Sequence, residues 1–229
     1  MALNFPMMKA LCDRLKPGSR IASMGYPDLL APVVAFETIL GDRFDDLKYR
    51  DDSNSICQRH GIRPLRKIPD AKSFFGLLEA NLDVFDIVQE RGDEIICDLN
   101  HEMMIAPGVY DFVLDVGTLE HCFNIAQAVF NMAGLLKEGG VIFHENPFLM
   151  GNHGFYSMNP TWYADFYGQD GFRLISCVLI TKNRIGDVPH TGRFIFTDDE
   201  ATCFAIAERT KILPLTFPTQ TKYRRLHGT

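Results

Sequence analysis

The sequence predicts a single α/β domain over residues 1–229, built on a mostly parallel, doubly wound sheet closed by a C-terminal antiparallel hairpin. Two observations carry that expectation. Short apolar runs alternate with longer amphipathic stretches, the pattern of a sheet with helices on both faces. The chain is also 46% hydrophobic and 23% charged, an ordinary globular balance that argues against a disordered class.

The elements follow in order. Met7 to Leu15 reads as a helix, stopped by Lys16-Pro17-Gly18. Arg20 to Met24 is the first strand, ending in the turn Gly25-Tyr26-Pro27-Asp28, and Leu29 to Leu40 has helical spacing up to Gly41. Residues 42–72 read as irregular and charged, broken by Pro64 and Pro69, and a segment of this length inside a compact domain is a candidate lid. A helix from Phe74 to Ala80 precedes strands at Leu82–Asp86 and Glu94–Asp98. The strongest strand is Asp111–Asp115, followed by an amphipathic helix from Ala126 to Leu136. Lys137-Glu138-Gly139-Gly140 supplies the glycines expected past a helix end, and Val141–His144 is the next strand. The last third offers a helix at Pro160–Tyr167 and strands at Gly171–Ile180 and Ala201–Ala207, the last two antiparallel. No repeat, low-complexity run or linker divides the chain.

Composition narrows the function. A formal net charge of −6 argues against a sequence-independent nucleic-acid binder, which needs a basic face. The six cysteines form no CxxC pair and several sit in apolar runs, so reduced thiols in a cytoplasmic protein are expected. No basic-then-apolar leader opens the sequence and no apolar run approaches a membrane span, so neither a signal peptide nor a transmembrane helix is expected.

In an open parallel sheet, ligands bind beyond the carboxyl ends of the strands. That rule selects Gly25 to Asp28, Asp86, Asp98 with Leu99, Asp115 to Thr118, and His144 to Asn146. Asp86, after the second strand, is placed to accept from ribose hydroxyls, or alternatively to cap the next helix. Asp98 and Leu99 would hold an adenine ring, or alternatively Asp98 begins a turn into Asn100.

Tyr110-Asp-Phe-Val-Leu-Asp-Val-Gly-Thr-Leu-Glu-His121, followed by Leu135-Leu-Lys-Glu-Gly-Gly-Val-Ile-Phe143, resembles the strand four to strand five block of class I S-adenosylmethionine-dependent methyltransferases. With the strand order around it, the resemblance spans roughly residues 15 to 210 and implies a Rossmann-like methyltransferase fold. It implies S-adenosylmethionine as cofactor, with contacts at Gly25, Asp28, Asp86, Asp98, Leu99, Asp115, Gly117 and Thr118. The family's glycine-rich first turn is reduced here to Ser23-Met24-Gly25-Tyr26-Pro27-Asp28, with a single glycine. Asp28 would bond the cofactor's amino group or cap the following helix.

Methyl transfer to a hydroxyl needs an in-line acceptor and a destination for its proton. His144 and His153 are the candidate bases, with Glu145, Asn146, Tyr156 and Asn159 as acceptor contacts. His121 reads as a packing residue near the cofactor, and Trp162 as core or pocket wall. The segment 142–167 is similar to methyltransferase-like proteins of surface-sugar and small-metabolite pathways, so a small polar acceptor and O-methylation are expected. Arg59, Arg63, Arg66 and Lys67 would favour an anionic one, or simply form a solvated face. No metal is expected, because neither His101-Glu102 nor His144-Glu145 has a second histidine at helical spacing. Two other readings stay open: a catalytically silent scaffold on the same fold, and a nicotinamide oxidoreductase, which the missing GxGxxG turn disfavours. A homo-oligomer also stays open.

Overall fold

The computed structural model describes residues 2–62, 67–182, 184–189, 192–196 and 200–227, in two compact units, Met1–Ile95 and Ile96–Thr229.

The first unit begins with a short strand, β1 (Ala2–Leu3), and a helix, α1 (Phe5–Cys12). Asn4 caps α1 by accepting from the Met7 amide at 3.1 Å. β2 (Arg20–Met24) is buried from Ile21 onward. β3 (Asp28–Leu29) pairs parallel with β1. Helix α2 (Val33–Leu40) starts four residues later than expected, because Asp28 and Leu29 are drawn into β3 and Pro32 holds an extended backbone ahead of the first turn. Then come α3 (Ser53–Arg59), α4 (Ala71–Leu77) and β4 (Asn81–Asp86), which runs parallel to β2 in the register Arg20↔Asn81 to Met24↔Phe85.

The segment expected to be irregular is partly ordered. A 3-10 turn at Gly41–Asp46 and α3 lie within it, and Ile56, Cys57 and Ile68 are wholly buried against Leu30 and Ile62. Seven-residue helices show too little of the helical period to be read from sequence. Arg63 and Arg66 of the basic run lie outside the described residues. The strand expected at Glu94–Asp98 shrinks to β5 (Ile95–Ile96), since both flanks turn away. The Glu94 carboxylate accepts from the Arg91 and Gly92 amides, and Asp98 accepts from the Asn100 amide.

The second unit holds β6 (Tyr110–Val116), α5 (Ile125–Leu135), β7 (Leu136–Leu149), α6 (Pro160–Phe166), β8 (Phe172–Ile180), β9 (Ile185–Asp187), β10 (Ala201–Arg209) and α7 (Thr221–His227). Its strands lie in the order β6-β7-β10-β8-β9. β6 and β7 are parallel, and β10 is antiparallel to both β7 and β8. The last strand therefore inserts between two earlier ones. The glycine pair expected past α5 belongs instead to the entry of β7. Pairing steps from Tyr110↔Leu136 to Phe112↔Val141, so Lys137–Gly140 bulges out of the ladder. Gly139 takes φ 78°, and a β-carbon on Gly140 would lie 2.9 Å from both the Lys137 and Tyr110 carbonyl oxygens. Arg209, at the end of β10, donates through Nη1 to the carbonyls of Ala133 and Leu136, each at 3.0 Å, closing the C-terminus of α5. Trp162 stacks on Phe166 at 5.7 Å, as part of an aromatic cluster. Among the described residues no helix is long and apolar enough to cross a membrane.

Candidate functional site

In the first unit the parallel register of β2 and β4 brings their carboxyl ends to one edge, with Gly25 after one strand and Asp86 closing the other. The Gly25 amide donates to the Phe85 carbonyl at 2.7 Å. Its φ of 88° is a conformation that favours glycine, so the single glycine of this turn sits where the backbone requires one. One Asp86 oxygen accepts from the Val88 amide at 3.2 Å, and the side chain is half-buried. The other oxygen has no partner among the described residues.

Asp28 is placed differently from the expectation. It is 1% exposed, ion-paired to Arg50 Nη1, and 3.0 Å from His60 Nε2. Both carboxylate oxygens are engaged within the first unit, and Asp28 does not cap the following helix, whose N-cap is Pro32. Arg50 is itself buried and bridges on to Asp52.

In the second unit, Asp98 makes the turn that competed with its ligand role. Hydrogen bonds from the Asn100 amide and side chain hold its carboxyl below the ordinary range. Leu99 is buried, and its carbonyl accepts from Asn131 Nδ2 at 3.1 Å. Asp115 is fully buried and saturated. One oxygen accepts from the Thr118 and Leu119 amides, the other from His144 Nδ1 at 2.6 Å and Asn146 Nδ2 at 3.0 Å. Gly117 follows at φ 78°, which makes the tight turn into Thr118.

His144 is wholly buried in β7, and its Nε2 lies 2.6 Å from the Tyr167 hydroxyl. With both nitrogens engaged and no exposed surface, His144 has no face to offer an acceptor. It is the centre of an interior Asp115–His144–Tyr167 chain.

A second buried carboxylate lies beside two half-exposed histidines. Glu120, in a 3-10 turn at Leu119–His121, has no exposed surface. Its Oε2 accepts from Asn146 Nδ2 at 3.0 Å, and the Asn146 Oδ1 accepts from the Tyr163 hydroxyl. Its Oε1 is buried without a hydrogen-bond partner. Burial, and secondarily the nearby Asp115 charge, pushes the Glu120 carboxyl up to about 7. Facing Oε1 are His153 Nε2 at 3.5 Å and His121 Nε2 at 3.8 Å, their rings 5.3 Å apart. The loop carrying His153 is pinned to this turn: the Phe155 amide donates to the Glu120 carbonyl at 2.9 Å and the Tyr156 hydroxyl to the Phe123 carbonyl at 2.8 Å. Phe123 and Phe155 meet edge to face beside it, both largely exposed.

The remaining expected contacts are scattered. Asn146 belongs to the interior network, while Glu145 accepts from Thr202 on β10 at 3.1 Å. Asn159 is exposed and caps α6 by accepting from the Thr161 amide. The glutamate was legible only as the acidic residue of the string Leu119-Glu120-His121.

No family model matches the sequence, and no curated protein is similar to it in sequence. Solved structures are similar in fold. Burkholderia thailandensis 1,6-didemethyltoxoflavin-N1-methyltransferase, bound to 1,6-didemethyltoxoflavin and S-adenosylhomocysteine, matches over 90% of this chain and 77% of its own, with TM-score 0.51 and 11% identity. A candidate methyltransferase from Bacillus halodurans C-125 matches over 90% and 98%, with TM-score 0.52 and 9% identity. The trans-methyltransferase CalH, in complex with S-adenosylhomocysteine, matches over 88% and 54%, with TM-score 0.50 and 14% identity. The chain has the class I methyltransferase fold.

Proposed function

We propose that this protein is an S-adenosylmethionine-dependent methyltransferase that methylates an oxygen of a small polar acceptor, such as a sugar or another metabolite. The observation that carries the reading is the pair at the carboxyl edge of the first unit: a glycine turn at φ 88° beside a carboxylate with one oxygen unpartnered among the described residues. Of the residues expected to hold the cofactor, Gly25 fits by letting the backbone approach closely and Asp86 by accepting from ribose hydroxyls. When bound, S-adenosylmethionine supplies a methyl group on a sulfonium. Asp115 acts from the interior, ordering the Thr118 and Leu119 amides.

Within the second unit, Glu120, His121 and His153 are the polar groups we assign to taking the acceptor's proton. As the acceptor oxygen bonds the methyl carbon, the carbon–sulfur bond breaks and S-adenosylhomocysteine leaves, while the acceptor's proton passes to the half-exposed His121 or His153 beside Glu120. Phe123 and Phe155 would flank the acceptor's apolar face, and Tyr156 steadies that wall. Holding two reactants in line is worth roughly 7–11 kcal/mol of barrier, so a fixed wall matters more than any one contact.

The test is calorimetric titration with S-adenosylmethionine and S-adenosylhomocysteine, on the parent chain and on Asp86→Ala. Binding to the parent, weakened by about tenfold or more in the variant, supports the reading. Binding unchanged by the substitution removes Asp86 from the site. The commitment of Asp28 to Arg50 and His60 favours a second reading, a scaffold that kept the fold and lost the cofactor. Absence of binding in folded protein would select it.

A further inference from the structure

We propose that Glu120, His121 and His153 form a binding site for one divalent first-row metal ion of the zinc, cobalt or manganese kind. One ligand atom from each of the three residues lies within 4.8 Å of the other two. For metal–ligand bonds of 2.0–2.1 Å, tetrahedral neighbours stand roughly 3.4 Å apart. The 3.5 Å and 3.8 Å separations from Glu120 Oε1 therefore need only a small inward movement of two rings. Two imidazoles and a carboxylate suit this class of cation and leave coordination positions open.

Histidines near a glutamate are common on surfaces, and three features separate this group from such a chance meeting. The first is the orphan oxygen. Glu120 Oε1 is buried with no hydrogen-bond partner, a state that costs roughly 1–3 kcal/mol or more and calls for an occupant. The second is the second shell. Asn146 Nδ2 holds Oε2 at 3.0 Å, so the carboxylate is oriented with its other oxygen towards the histidines. The same amide bridges to Asp115 at 3.0 Å, so two buried carboxylates meet at one donor, and a cation alongside offsets their repulsion. The third is exposure. The side chains of His121 and His153 are 50% and 45% exposed, so the open positions face solvent and an entering ligand.

Under the methyltransferase reading, the cation would hold the acceptor's oxygen and polarise its O–H bond; the oxygen would bond the methyl carbon as the carbon–sulfur bond breaks, with S-adenosylhomocysteine leaving and the proton passing to solvent. His153 is then a metal ligand and no separate histidine base is needed. This use rests on the proposed function, whereas the metal site itself does not.

The experiment is calorimetric titration of tag-free, full-length protein, first stripped with chelator, with Zn²⁺, Mn²⁺ and Co²⁺ in the absence of S-adenosylmethionine. Co²⁺ is also followed by its visible absorption. One saturable equivalent is expected in the parent. His121→Ala and His153→Ala, both at half-exposed positions that leave the fold intact, should each weaken binding by about tenfold or more, and Glu120→Gln likewise. His101→Ala, an exposed histidine outside the trio, should bind as the parent does. Failure of all three ions to saturate the parent overturns the proposal, as does binding that survives His153→Ala and Glu120→Gln. Because the titration omits S-adenosylmethionine, a missing metal site and a missing cofactor site give separate results.

Discussion

A β-carbon added to Gly154 would lie 2.9 Å from both the Cγ and the carbonyl oxygen of Glu120. The loop bearing His153 thus approaches the Glu120 turn more closely than any other residue type permits. Gly154→Val should lift this loop and separate His153 from Glu120. Metal affinity, and turnover once an acceptor is known, are expected to fall by about tenfold or more, with only about 1–3 kcal/mol lost from stability. Titration and thermal melting on one preparation check this; parent-like affinity would show that the close contact is incidental.

Glu120 gives a pH signature in metal-free protein. Its folded carboxyl titrates at about 7, against 4.5 when unperturbed. A raised carboxyl favours folding fully below the lower value, and that contribution is lost as pH rises through the folded one. At pH near 8, in chelator, Glu120→Gln should therefore be more stable than the parent, by up to about 3 kcal/mol. At pH near 4 the difference should vanish. Urea melts at the two pH values provide the comparison, and an equal difference at both would contradict the assignment.

His144 should behave as a structural residue. His144→Phe leaves the Tyr167 hydroxyl buried without its partner, while Asp115 keeps Asn146 and two amides. The expected cost is about 2–3 kcal/mol. For a chain of this size that lowers Tm by roughly 5–10 °C. If stability is unchanged but turnover is abolished, His144 acts in the chemistry after all.

Arg50→Met should cost about 3–5 kcal/mol, since it leaves a buried Asp28 with His60 and, at 3.9 Å, the half-exposed Arg59 as its remaining partners. Asp28→Asn in the same chain should recover part of that loss. A double-mutant cycle measured by denaturant melts reads the coupling, and simple additivity would mean the pair contributes nothing jointly.

How much was legible depended on whether the cause was local. β2 matches its expected bounds, and α5 and β6 come within a residue or two, because apolar periodicity in consecutive residues specifies them. The strand at Glu94–Asp98 failed because side-chain turns at Glu94 and Asp98 override an apolar run of two. The site was harder. Asp28 looked like a ligand until Arg50 and His60 closed on it from later in the chain. His144 looked like a base because nothing near it in sequence announces Tyr167. Helical spacing does not announce the trio either, because His153 reaches Glu120 from 33 residues away through a loop.

The position of β10 bears on how the chain is made. Synthesis delivers β7, then β8, and only afterwards the strand that belongs between them. Until residue 201 and its successors emerge, the edge of β7 carries unpaired amides and carbonyls, with β8 the nearest strand able to take them. The last carbonyls of α5 likewise wait more than seventy residues for the guanidinium of Arg209. A ribosome-bound chain stalled before residue 201 therefore holds a complete β6–α5–β7 crossover with a sticky border. The final strand thus both covers that border and closes the helix end in the folded unit.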